Sequence, residues 1–340
     1  MLAGSNGLSY SSTLFRATLD KLGDLWLFTS KGPFLFLHLN IERHPMITLS
    51  NGIRFRFVAA SGALGNNGLG WPVERILGFF SKRLFDPSLF LTFAKTFTYD
   101  PRKGNFRWYN PLGCIKFIGD GVVNAYGLTN IGRKRWCKRY GRLLNSKNNP
   151  VAVSISGNPE ELREIAIMLN DFDCVAVEIN GSCPNDGSSL LEKAKLAVRS
   201  VEAVKAVTRF PIVFKWSVVQ SDIAETAVRE MSGIVEAFAI NSVPWKRIFS
   251  DKVSPLSHLG GGGVSGKVAQ PFTWGMAKLL KNLSDIPVIV PGAWDYSDIA
   301  IMEEIGDAVS FGSIFMKNPW RPTCFVRRYI AEQKQTAGSC

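Results

Sequence analysis

Residues 151–180 read VAVSISGNPEELREIAIMLNDFDCVAVEIN. A short Val-rich run is followed by Asn-Pro, two acids and an amphipathic stretch, and then by a second apolar run. Short β-branched runs bounded by polar residues predict strands at 151–155 and 174–180. Proline in the first turn with acids after it predicts a helix over 159–170. The unit is strand–helix–strand. The same rhythm recurs in both directions, with further strands expected at 55–60, 90–95, 211–216, 236–241, 287–291 and 308–312. Helices are expected at 189–207, 220–232, 271–283, 295–306 and 319–333. No G-x-G-x-x-G follows the first strand, which argues against a dinucleotide-binding open sheet. Eight strands, each followed by helical material, predict an α/β fold of the (β/α)8 TIM-barrel type. The long gap between the second and third strands carries WYNPLGCIKFIGDGVVNAYGLTNIG at 108–132, which predicts a β-hairpin insertion and then a helix. The expected organisation is an N-terminal helical extension over 1–46 and a catalytic barrel over 47–335. The extension carries an amphipathic helix at 12–27 and the aromatic stretch PFLFLHL at 33–39.

The composition narrows the class. The chain has 340 residues, 46% apolar and 20% charged, so it is neither disordered nor fibrous. No run of about 18 apolar residues predicts a membrane span, and no secretory pattern opens the chain; a cytoplasmic location is the expectation. Six cysteines stand without any C-x-x-C pair, and the three histidines, His38, His44 and His258, lie far apart. No metal site is expected from that spacing, and a general base must be a cysteine, a lysine or a carboxylate. Forty Lys and Arg against 28 Asp and Glu give +12, which favours anionic ligands of several kinds. The basic run Arg133, Lys134, Arg135, Lys138, Arg139 and Arg142 reads as a solvated helix face, and a nucleic-acid partner is not expected from it.

In a (β/α)8 barrel the active face is formed by the C-terminal strand ends. Here those ends, or the residues just past them, are Ser61, Lys95, Ser154, Asn180, Lys215, Asn241, Gly292 and Gly312. Lysines and asparagines ending apolar strands are unfavourable if buried without partners, so they point to a polar ligand at the barrel mouth. The fourth strand runs into EINGSCPN, Glu178 to Asn185, which sets Cys183 in a loop between Ser182 and Pro184 and brackets it with amides. A thiol is a workable base near neutral pH where cations favour its thiolate.

EINGSCPN resembles the E-x-N-x-S-C-P-N segment of dihydroorotate dehydrogenases, which are FMN-containing (β/α)8 barrels. The resemblance runs in order over roughly 47–330: AASG at 59–62, AKTFT at 94–98, VNAYGLTNIG at 123–132, FKWS at 214–217, INS at 240–242, GGVSGK at 262–267, PGAWD at 291–295 and FGS at 311–313. It implies FMN-dependent oxidation of (S)-dihydroorotate to orotate in pyrimidine (UMP) biosynthesis, with Cys183 as base, Lys95 touching flavin and substrate, and Lys215 facing the flavin. It further implies substrate contacts from Asn124, Gly127, Leu128, Asn180, Asn185, Asn241 and Ser242. FMN contacts are implied for Ala60, Ser61, Lys95, Thr96, Ser154, Asn180, Lys215, Ser265 and Gly266, with the phosphate at Gly292, Ala293, Gly312 and Ser313.

Three residues depart from the family pattern. Gly181 stands where an apolar side chain is usual, which predicts a looser catalytic loop. Thr129 replaces a proline or asparagine, and Ala293 replaces the second glycine of the phosphate turn. The cysteine and Lys95 resemble the soluble class, whereas the leader resembles the membrane-associated, quinone-using class. Fumarate, quinone, and NAD through an iron–sulfur partner all stand as electron acceptors. A homodimer and a peripheral membrane contact through 12–39 are further open partner readings. A tRNA dihydrouridine synthase is the competing enzyme reading, but its loop is typically N-x-G-C-P. A barrel without catalysis, binding only a flavin or nucleotide, is opposed by the joint presence of Lys95, Cys183 and Lys215.

Overall fold

The computed structural model describes residues 46–107, 109–181 and 189–338. The expected elements at 12–27 and 33–39, and the site residues Cys183 and Asn185, lie outside the described residues. The chain divides into two units, Met1–His44 and Pro45–Cys340, and the second holds every element below.

Eight parallel strands form the centre: β1 (Phe57–Ala59), β2 (Leu91–Phe93), β3 (Val151–Ile155), β4 (Ala176–Asn180), β5 (Ile212–Trp216), β6 (Ala237–Ile240), β7 (Ile289–Pro291) and β8 (Ala308–Phe311). Each pairs with its neighbour in sequence around the ring except β6 and β7, which meet through a bridge between Phe238 and Val288 and close the barrel. All eight expected strands are present, Val151–Ile155 at the expected bounds and the others at narrower ones. The helix of the quoted unit follows equally well. Pro159–Leu169 opens on a reciprocal cap in which Asn158 Oδ1 accepts from the Glu161 amide at 2.9 Å and Glu161 Oε2 accepts from the Asn158 amide at 3.0 Å.

Successive residues of a strand face opposite sides, and here the two sides bury different partners. Phe57, Val153, Val177, Phe214, Phe238 and Val309 face the outer helices. Val58, Phe93, Ala152, Ala176, Val213, Ala237, Ile289 and Ala308 face inward, where they pack with Ile47, Leu49 and Phe55. Those last three belong to a short antiparallel hairpin, Ile47–Thr48 with Arg54–Phe55. Its turn passes through Gly52 at φ +84°, a left-handed conformation that glycine adopts without strain. This hairpin corrects the expected first strand: Phe55 belongs to the plug and not to the barrel. Small inward residues leave room for it.

The expected hairpin after β2 is found, as Ile115–Phe117 with Gly121–Asn124. It is half of a larger structure. Val243–Pro244 and Gly263–Gly266, both after β6, extend it to a four-stranded antiparallel sheet. Those two strands carry no alternation in the sequence, because glycines occupy the close approaches. A Cβ on Gly262 would stand 2.6 Å from the Asn124 carbonyl oxygen. The helix Pro72–Phe80 was also not anticipated. Its apolar residues Val73, Ile76, Phe79 and Phe80 are exposed, so its pattern does not point to the core.

Candidate active site

A cavity of about 780 Å³ opens at the C-terminal ends of the strands, under the four-stranded sheet. Seventeen of the residues expected at the site line it: Ala60, Ser61, Lys95, Thr96, Asn124, Gly127, Leu128, Asn180, Lys215, Asn241, Ser242, Ser265, Gly266, Gly292, Ala293, Gly312 and Ser313. They come from distant parts of the chain: most lie at or just past a barrel-strand end, and Asn124, Gly127, Leu128, Ser265 and Gly266 come from the four-stranded sheet and its loops. Ser154 is the exception. It is fully buried and lies outside the cavity lining.

Ser154 belongs to a polar chain that crosses the strand ends beneath the cavity. Ser61 Oγ lies 3.0 Å from Thr96 Oγ1, which lies 2.8 Å from Ser154 Oγ. Ser154 donates to Glu178 Oε1 at 2.5 Å, and Lys215 Nζ donates to the same oxygen at 2.6 Å. Glu178 is 1% exposed and Lys215 7%. Lys215, which the sequence reading assigns to a polar ligand, therefore also has a partner within the barrel. Its partner is Glu178, which sequence reasoning quoted as part of EINGSCPN but did not place in the site. The signal was available: Glu178 and Asn180 have the same parity on β4, so both face inward. Unpaired, either charge would be strongly unfavourable at this depth.

The other cations of the cavity are Lys95 and Arg102, and among the described residues no carboxylate lines it. Burial, and then the charge of Lys215, push the Lys95 ammonium down to about 8. It sits 4.9 Å from the centroid of the Tyr126 ring, which stacks on Phe106 at 5.5 Å. Burial pushes the Tyr126 hydroxyl up to about 12, so it is protonated at neutral pH. The site is thus a positively charged pocket with amide and hydroxyl groups around it. Arg102, Asn105 and Tyr126 were not singled out from sequence. They come from the excursion after β2, whose path only the fold reveals.

The three departures from the family pattern have local explanations. The start of the loop after β4 is held rather than loose. The Gly181 amide donates to the Lys215 carbonyl at 3.0 Å, and the Gly181 carbonyl accepts from Gln220 Nε2 at 2.7 Å. A Cβ there would meet Phe214 Cζ at 2.2 Å, so the phenyl ring fills the space that a side chain at 181 would need. Thr129 ties two segments together: its Oγ1 donates toward the Tyr126 carbonyl at 2.8 Å and accepts from the Phe106 amide at 3.2 Å. Gly104 gives it room, since a Cβ there would lie 2.2 Å from Thr129 Oγ1. Next to it, Leu128 has φ +54° and lines the cavity, a conformation that non-glycine residues adopt at a cost and that clusters at functional sites. At Ala293 the backbone is already engaged. The Gly292 and Ala293 amides both donate to the Ser310 carbonyl, at 3.1 and 3.3 Å.

The fold and site define an α/β barrel enzyme with a lysine- and arginine-lined, cofactor-sized cavity at its C-terminal mouth. The chain belongs to the dihydroorotate dehydrogenase family of flavin-dependent oxidoreductases, whose sequence profile matches residues 83–302. It is 28% identical over 235 residues to the catalytic subunit of dihydroorotate dehydrogenase B (NAD(+)) from Listeria welshimeri, covering 67% of this chain and 76% of that one. The protein of the same description from Geobacter sulfurreducens is 32% identical over 202 residues, covering 58% of this chain and 65% of the relative. A crystal structure of DHODH in complex with ferulenol from Eimeria tenella shares the fold, with TM-score 0.52 and 16% identity over 85% of this chain and 84% of that one. Among the described residues no helix is long and apolar enough to cross a membrane.

Proposed function

We propose that this chain oxidises (S)-dihydroorotate to orotate in de novo pyrimidine biosynthesis, with FMN as its bound flavin. The observation that carries this reading is the convergence of Lys95, Lys215 and the strand-end asparagines Asn180 and Asn241 on one cavity with no carboxylate among its described lining residues. That chemistry suits a planar carboxylated ring beside a phosphorylated cofactor. The volume of about 780 Å³ lies in the range of cofactor pockets. Gly312 lines the cavity beside Ala60, and an added Cβ there would make only ordinary contact with the Ala60 Cβ, at 3.6 Å. When bound, FMN supplies the hydride acceptor.

The residues divide the work as follows. Asn124, Asn180, Asn241 and Ser242 orient the substrate, with Asn185 added from the loop. Cys183 takes the proton from C5 as a thiolate base while the hydride leaves C6. Lys215 holds a fixed positive charge in place through Glu178, and so stabilises negative charge developing near it without reorganisation. Lys95 pairs with the substrate carboxylate. The Gly292 and Ala293 amides serve the Ser310 carbonyl, so we assign the phosphate to Gly312 and Ser313. The domain reading is a barrel over 47–335 with 1–46 as an extension to it. The relatives are described as catalytic subunits of an NAD(+) enzyme, which supports a separate partner chain that returns the electrons to NAD(+).

The test is an anaerobic visible spectrum of the purified protein before and after dihydroorotate. A flavin spectrum that bleaches on addition is the expected result. A flavin that stays oxidised, or a protein that takes up no FMN on reconstitution, overturns the reading.

The pH dependence of ligand binding has a defined sign. Lys95 is protonated below about 8 and neutral above it, so it attracts a carboxylate at pH 7 and progressively less as pH rises past 8. Orotate affinity, followed by titration calorimetry, is expected to be level from pH 6 to 7 and to fall above 8, by up to about tenfold per pH unit for one proton. Lys95→Met is expected to remove that alkaline limb. A limb that persists in the variant would assign the titration to another group.

A further inference from the structure

We infer that Gln220 is a positioning residue for the reaction, acting through the segment that carries Cys183. Gln220 sits at the end of the single turn Val218–Gln220 after β5 and is 6% exposed. Its amide is used at both ends. Oε1 accepts from the Ser217 amide at 2.7 Å, and Nε2 donates to the Gly181 carbonyl at 2.7 Å. Ser217 lines the cavity two residues past Lys215, and Gly181 directly follows Asn180, which also lines it. One side chain therefore clasps the exits of two neighbouring strands, each of which delivers a site residue.

The geometry at Gly181 explains why a clasp is needed. A glycine has no side chain to anchor the chain where it leaves the sheet, and backbone freedom is greatest there. Three contacts remove that freedom: the amide bond to the Lys215 carbonyl, the Phe214 ring on the side where a Cβ would stand, and the Gln220 amide on the carbonyl. Of these, only the Gln220 bond is made by a polar side chain, so it can be removed without altering strand pairing or packing. Glutamine suits the task because its planar amide offers a donor and an acceptor at once. A carboxylate offers only the acceptor, and a leucine offers neither. Only Ser182 stands between Gly181 and Cys183 in the sequence, so the Gly181 peptide opens the short covalent path to the thiol. Misplacement of a reacting group by about 1 Å lowers a rate by about a hundredfold.

This inference rests on Cys183 as the base, and its test separates the two. The variants are Gln220→Leu, which removes both bonds, and Gln220→Glu, which keeps the acceptor for the Ser217 amide and loses the donor to Gly181. The readouts are kcat per bound flavin, KM for dihydroorotate, and the alkylation rate of Cys183 by iodoacetamide, resolved by peptide mass spectrometry. Both variants are expected to lose about tenfold to a hundredfold in kcat, with KM within about twofold, and to change the Cys183 alkylation rate severalfold. A structural role alone would lower flavin content or melting temperature and leave kcat per flavin intact; that result overturns the inference. Full activity in Gln220→Glu also overturns it, because the Ser217 bond alone would then suffice. Should Gln220→Leu fail to fold, Gln220→Glu decides. If wild-type flavin does not bleach with dihydroorotate, the functional reading falls, and the alkylation rates still report whether Gln220 governs the thiol.

Discussion

Lys215→Met is expected to destabilise the protein by about 3–5 kcal/mol and to abolish measurable turnover, because it strands a carboxylate in the barrel. Glu178 is 1% exposed, and its Oε1 receives Lys215 Nζ at 2.6 Å and Ser154 Oγ at 2.5 Å. Methionine reproduces the lysine stem as far as Cε and lacks only the ammonium, so the loss is chiefly that of the charge and its hydrogen bond. Ser154 remains as a donor to Glu178, which sets the expectation toward the lower end of the range. Urea denaturation, read as a shift in midpoint at constant slope, measures it. The control is the double variant Lys215→Met with Glu178→Leu. Replacing a buried ion pair by apolar residues is commonly neutral or stabilising, so this protein should regain most of the lost stability and none of the activity. A single variant as stable as wild type would show that the contact between Lys215 and Glu178 contributes nothing to stability.

The second large effect is expected at Cys183. With alanine there, the rate of flavin bleaching by dihydroorotate should fall by about 10²–10⁴-fold, the contribution typical of a positioned general base. Orotate affinity should stay within a few-fold, since the cations and asparagines that hold the product are untouched. In the wild type the bleaching rate should rise with pH as the thiol, unperturbed near 8.5, becomes thiolate. Cys183→Ser should lose that limb, because a hydroxyl does not ionise in this range. Stopped-flow absorbance from pH 6 to 9 follows all three proteins. A rate indifferent to pH over that interval would remove the cysteine from the role.

Most of the site could be read before the fold was known, and for a physical reason. In a (β/α)8 barrel every strand ends at the same face, so a list of strand-end residues is already a list of neighbours. That is why Lys95, Asn180, Lys215, Asn241 and Gly312, spread over more than 200 residues of chain, meet in one cavity. The reasoning failed where residues lie off the strand ends. Arg102 and Asn105 reach the cavity from an excursion without periodicity. The two strands contributed by 243–266 pair with each other across Gly263, and the second pairs onward with Gly121–Asn124, far back in the sequence.

The sequence alone determined the barrel, because alternating short apolar runs and amphipathic helices admit few closed arrangements. It also determined the kinds of residue at the mouth, and with them the expectation of an anionic ligand. Tertiary structure decided how those residues are paired. Glu178 and Lys215 are 37 positions apart, and only the register of β4 against β5, with Asn180 opposite Lys215, brings their side chains together. The same register sets the Phe214 ring where Gly181 lacks a side chain and lays Gln220 against its carbonyl. Periodicity reports which face a residue occupies. Partnership depends on register between strands, which is set by packing across the whole barrel and is not written in any single stretch of sequence.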